Sequence, residues 1–139
     1  MTRPLYLDTS IWIDYMEKRG DASFPLWKWT MDFLSKAIIN KWTIMYSDLV
    51  IEEIIHRHKL KEIDETFSIF YHQKIISGVK VTPSQAEEAG REYLIVRVPF
   101  PDILHAIVAR DHDAILITRD KHFNKLRHIV ENKKPEELV

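Results

Sequence analysis

Short unbroken apolar runs alternate along this chain with longer segments of helical periodicity. Pro4-Leu5-Tyr6-Leu7 stops at Asp8, and Thr9 or Ser10 can cap a helix through Ile11, Trp12, Tyr15 and Met16. The spacing predicts a helix from Pro25 to about Lys41. Trp42-Thr43-Ile44-Met45-Tyr46 follows as a strand rich in β-branched and aromatic residues. Ser47 or Asp48 caps a helix over 48–59, with Val50, Ile51, Ile54 and Ile55 at helical spacing. A helix over 61–77 is expected to end at Gly78, followed by a strand over 79–82 and a helix opened by Pro83-Ser84 that runs to Val96. Pro99 and Pro101 precede a helix over 102–111, and Ala114-Ile115-Leu116-Ile117-Thr118 reads as a buried strand. The runs at 4–7 and 114–117 do not alternate, as expected for strands covered on both faces. Strands separated by helices imply a parallel sheet, so the expected fold is α/β, a three-layer α/β/α sandwich. The 139 residues suit one domain over 1–131, with the final NKKPEELV (132–139) as a short tail.

Composition narrows the chemistry. Hydrophobic residues at 45% supply a core. The absence of cysteine excludes disulfides, thiolate zinc sites, Fe–S clusters and a cysteine nucleophile. With glycine only at Gly20, Gly78 and Gly90, no phosphate-cradling glycine loop can be built. Asp8 interrupts the first apolar run before a signal-peptide core forms, and no run approaches the ~18 residues that span a bilayer, so the expected location is cytoplasmic. A net charge of -1 does not by itself recommend nucleic acid as a partner.

Ligands of open parallel sheets gather beyond the carboxyl ends of the strands. Asp8 follows the first expected strand, Asp48, Glu52 and Glu53 follow the second, and Asp120 follows the last, while Asp102 opens a helix after a proline-punctuated loop. Each has a bland reading as a helix cap or a partner of the helix dipole. Gathered on one edge, however, carboxylates repel and call for a cation or raised pKa values. Oxygen ligands without cysteine select a hard cation, Mg²⁺ or Mn²⁺. Helical geometry places Asp102, Ala106 and Ala109 opposite the apolar face of Ile103, Leu104, Ile107 and Val108. It does not choose between Glu52 and Glu53, which flank the apolar face of their helix almost symmetrically.

In these positions the sequence resembles the PIN-domain family, the metal-dependent nuclease fold that includes VapC-type toxins. The resemblance is carried by Leu7-Asp8-Thr9-Ser10, by Ser47-Asp48-Leu49-Val50-Ile51-Glu52-Glu53-Ile54, by Asp102-Ile103-Leu104-His105-Ala106, and by Ala114 to Phe123. It implies an acidic quartet of Asp8, Glu53, Asp102 and Asp120, the spacing from Ser47 selecting Glu53. It further implies an endoribonuclease hydrolysing RNA at a Mg²⁺ or Mn²⁺ site, with Asp8, Asp102 and Asp120 as metal ligands and an antitoxin-like protein as a partner. Thr9, Ser10 and Thr118 are candidates to orient the carboxylates. Arg119 and Lys121 are candidates to contact RNA phosphates, against a bland reading as solvated surface charges. Where some relatives carry a further acid this chain has Lys121 and His122, and its 57–77 region is long for a minimal toxin.

Other constellations are weaker. His56 and His58 sit on different sides of a helix, poor geometry for one metal, and His105 reads as a hydrogen-bonded packing residue. The 25–41 helix is apolar on two stripes, one with Trp27, Met31, Leu34 and Ile38 and one with Leu26, Trp29, Phe33 and Ala37. Such a helix has two burial partners, the second being part of the monomer, a second subunit in a homodimer or an antitoxin-like peptide. Two competing functions are a catalytically weak RNA- or protein-binding module and a receiver-like Mg²⁺-binding signalling domain. Receivers carry an adjacent acidic pair after the first strand, where Asp8 stands alone.

Overall fold

The computed structural model describes residues 2–139. Five parallel strands form one sheet: β1 (Leu5–Leu7), β2 (Ile44–Ser47), β3 (Ile76–Val79), β4 (Ile115–Ile117) and β5 (Asn132–Lys133), in the order β3-β2-β1-β4-β5. The register sets Tyr6 opposite Met45 on one side and Leu116 on the other. Every residue of β1 and β4 is buried, because helices flank the sheet, which is the α/β sandwich expected from the unbroken apolar runs.

The helices are α1 (Thr9–Met16), α2 (Leu26–Asn40), α3 (Asp48–Ile54), α4 (Leu60–His72), α5 (Pro83–Val96) and α6 (Phe100–Asp111). Asp8, rather than Thr9 or Ser10, caps α1 by accepting from the Ile11 N–H. Ser47 stands at the N-cap of α3 but makes no capping bond, since its hydroxyl is used by Tyr6. Among the described residues no helix is long and apolar enough to cross a membrane.

Two expectations are corrected here. The third strand lies at Ile76–Val79 and not at 79–82, because α4 already ends at His72 and Lys74 turns the chain with a positive φ. Gly78 is therefore a strand residue, not a helix stop. A Cβ there would meet the Tyr46 ring and hydroxyl at 2.8 Å, so glycine permits the close approach of that side chain. The segment 132–139 is not a free tail. Asn132 and Lys133 pair with Leu116 and Ile117 as the edge strand β5, and Pro135–Leu138 forms a 3-10 turn against α2. That turn, with α1 on the other side, is how the monomer covers an α2 whose Phe33, Leu34 and Ala37 are buried while Met31 and Ile39 stay exposed.

Candidate active site

From β1 the chain steps outward through β2 and β3, then crosses to β4 and β5 on the other side of β1. The switch point of the sheet therefore lies between β1 and β4, where a crevice opens beyond the strand ends. Asp8 leaves β1 and Asp120 follows β4, so the two acids flank that crevice. A receiver-like sheet has a different strand order, 2-1-3-4-5.

A cavity of about 320 Å³ opens there, lined by Asp8, Glu53, Asp102 and Asp120 together with Thr9, Ser10, His105, Arg19 and Arg57. Asp8 is 3% exposed. Its Oδ1 accepts from the Ser10 hydroxyl at 2.7 Å and from the Ile11 N–H at 3.2 Å, and its Oδ2 accepts from the Thr118 hydroxyl. Burial raises the Asp8 pKa, and these donors and the nearby His105 offset the shift only in part. Asp102, on the first turn of α6, is also shifted upward, by burial first, with hydrogen bonding from His122 opposing and the charge of Asp120 adding.

Glu53 faces the cavity and Glu52 faces solvent, which settles what helical periodicity left open. The Thr9 hydroxyl and the His105 Nε2 each lie 2.6 Å from Glu53 Oε1. Burial pushes Glu53 up, but hydrogen bonding to His105 and Thr9 outweighs it and the net shift is downward. Behind it runs a buried relay. Tyr6 Oη lies 2.7 Å from both His105 Nδ1 and Ser47 Oγ. The two ring nitrogens of His105 thus bridge Tyr6 and Glu53. Desolvation raises the Tyr6 phenol, which stays a donor. His105 is a packing histidine, as expected, but one that packs against Glu53.

Three donors converge at the mouth. Asp102, Asp120 and His122 each offer an atom within 4.8 Å of the others, and His122 Nδ1 lies 3.0 Å from Asp102 Oδ2 and 3.3 Å from Asp120 Oδ1. Two carboxylates and an imidazole suit a divalent cation. Asp8 lines the same cavity but lies outside that trio. None of the four acids pairs with a lysine or arginine among the described residues, their only salt-bridge partners being His105 and His122.

Arg119 does not reach the cavity. Its side chain is 12% exposed and binds Glu136 at 3.0 Å, Thr30 Oγ1 at 3.2 Å and the Leu26 carbonyl at 3.3 Å, with Asp14 at 3.8 Å. It braces α1, α2 and the C-terminal turn. Lys121 is exposed beside Asp120. Sequence reading passed over Arg19 and Arg57, the two cations that do line the cavity. Glu17 holds both, accepting from Arg57 at 2.8 and 2.9 Å and from Arg19 at 3.3 Å. No local pattern marks them, because Glu17 and Arg57 meet only after folding.

A family model described as PIN domain matches residues 5–129. No curated protein matches the sequence. Similar solved structures include VapBC2 from Rickettsia felis bound to a DNA fragment from their promoter, with TM-score 0.63 and 19% identity over 94% of this chain and 97% of the other. A toxin–antitoxin complex from Klebsiella pneumoniae has TM-score 0.64 and 18% identity over 95% and 97%. DNA-bound VapBC from Salmonella typhimurium has TM-score 0.62 and 12% identity over 96% and 99%. At these identities the likeness is one of fold.

Proposed function

The chain belongs to the PIN domain family, and we propose that it is a cytoplasmic metal-dependent endoribonuclease, the toxin of a toxin–antitoxin pair. The observation that carries this reading is the unpaired acid cluster. Asp8, Asp102 and Asp120 converge from three elements on the switch point without a fixed cation to balance them. A structural ion-pair network would have supplied its own arginine or lysine.

Asp8, Asp102 and Asp120 would hold the metal, with His122 as a further donor at the mouth. The chemistry supplied by a bound Mg²⁺ or Mn²⁺ is acidification of a water and neutralisation of charge on the phosphoryl oxygens. Ser10, Thr118 and the Ile11 amide lock both Asp8 oxygens, so the ligand is preorganised. His105 and Thr9 converge on Glu53 Oε1, leaving Oε2 to accept a proton from the attacking water. Arg19 and Arg57 stand where they can hold phosphate oxygens, and Glu17 fixes their approach.

The toxin assignment takes support from neighbours that are toxin–antitoxin complexes, and an antitoxin protein is the proposed partner. A homodimer belongs to the same reading, with the exposed Leu94 and Ile95 of α5 as its apolar surface. The test is cleavage of mixed RNA in Mn²⁺, with and without chelator. Wild type is expected to cut only with metal, and Asp102→Asn to lose at least ~100-fold. Undiminished cutting by Asp102→Asn, or by wild type in chelator, would overturn the assignment.

A further inference from the structure

A second cavity, of about 450 Å³, opens beyond β4 and β5 and shares Asp120 as a wall with the acidic one. Its lining differs in sign. Lys121, Arg127, Lys133 and Lys134 line it without a salt bridge among the described residues, and Arg119, held by Asp14 and Glu136, forms part of its wall. Two of its acids are already engaged: Glu131 faces Arg3 at 3.4 Å, and Asp120 belongs to the donor trio. Glu137 is the one acid left. Asn124 accepts from Arg127 at 3.1 Å, and Asn132 ties the floor to the Phe123 carbonyl at 3.0 Å. A chain of net charge -1 thus gathers four unpaired cations into one hollow beside its acids.

The geometry points to this hollow as the seat of the RNA backbone flanking the scissile bond, with Lys121, Lys133, Lys134 and Arg127 binding successive phosphates. The inference rests on the nuclease reading of the acidic cavity. A strand lying across Asp102 and Asp120 runs directly over the shared wall into the cations, so one polyanion satisfies both sites. Lysines on an edge strand also discourage pairing with other sheets, but β5 has only two residues, and Lys121 and Arg127 lie off it. The cations of the hollow come from three places along the chain, the 3-10 turn over Lys121–Leu126, its exit at Arg127, and β5 with Lys134, and they meet only through the parallel pairing of β5 with β4.

The full chain, in chelator so that nothing is cut, is titrated into fluorescein-labelled oligouridylate and followed by anisotropy at several salt concentrations. Each phosphate contact on single-stranded RNA contributes ~0.7 to the slope of log K against log salt. The triple variant Lys121→Ala/Lys133→Ala/Lys134→Ala is expected to lower that slope by about 2 and to weaken binding at least tenfold in low salt. Lys28→Ala/Lys61→Ala/Lys80→Ala removes the same charge from exposed positions elsewhere and is expected to leave the slope near wild type. Equal effects of the two triples, or no effect of the first, overturn the proposal. Displacement of the RNA by polyglutamate as readily as by unlabelled oligouridylate also overturns it, in favour of an acidic polypeptide. The nuclease reading is judged separately, by cleavage in Mn²⁺. Cleavage with an unmoved slope sinks the hollow alone, and a reduced slope without cleavage sinks the nuclease alone.

Discussion

Asp8 is the most buried of the four acids and pairs with no lysine or arginine among the described residues, so its charge is a cost to the metal-free fold. An acid whose folded pKa is raised adds stability below its unfolded pKa, and that stability is lost as pH climbs through the folded value. Asp102 shifts in the same direction. In chelator, therefore, these two acids are expected to add thermal stability as pH is lowered through their raised pKa values. Glu17 and Glu53, whose pKa values are lowered, oppose this only at lower pH, Glu17 losing its contribution as pH falls towards about 2. Asp8→Asn is isosteric and removes the charge, at the cost of one acceptor that the Thr118 hydroxyl must turn to replace. At pH 7 in chelator it is expected to melt above wild type, by roughly 2–4 °C per kcal/mol relieved, and to show a smaller acid-side gain. Calorimetry across pH checks both signs, while Mn²⁺ titration should show affinity falling. Arg119→Ala leaves buried Asp14 with Arg19 alone and Glu136 without a partner, and is expected to cost about 3 kcal/mol in urea unfolding.

At the scale of elements, each acid is delivered by a different device. β1 ends in a carboxylate that doubles as the N-cap of α1, α6 begins with one, and Asp120 caps the 3-10 turn after β4. These positions are local, so they were legible from apolar runs meeting acids. The third strand was not, because Gly78 reads as a helix stop until Tyr46 is seen lying on it. Gly78→Ala is expected to displace that ring, to weaken its hydrogen bond with Tyr71, and to lower stability by ~1–3 kcal/mol, measured by urea unfolding. β5 was equally hidden. Asn132-Lys133 has no apolar content, and its backbone is drawn into the sheet by the exposed edge of β4.

Across the whole molecule, apolar surface and charge are unevenly spent. The second burial partner of α2 turns out to be α1 and the C-terminal turn, whereas α5 leaves Leu94 79% and Ile95 73% exposed. If α5 forms the proposed homodimer face, wild type sediments as a dimer at micromolar concentration and Leu94→Glu as a monomer. A wild-type monomer would remove the homodimer from the proposal without touching the acidic site.

The sequence by itself determined the class of sheet, the order of most elements and the acids at their ends. Unbroken apolar runs specify doubly covered strands, and carboxylates just past them fall on one edge whatever the details of packing. Only the tertiary structure turned Arg119 inward, joined His105 to Tyr6 and Glu53, and brought Arg57 to Glu17. It also made β5 from a polar segment and, with it, the cationic hollow beside Asp120. These are pairings between residues far apart in the chain, and local periodicity carries no information about which distant group a side chain will meet.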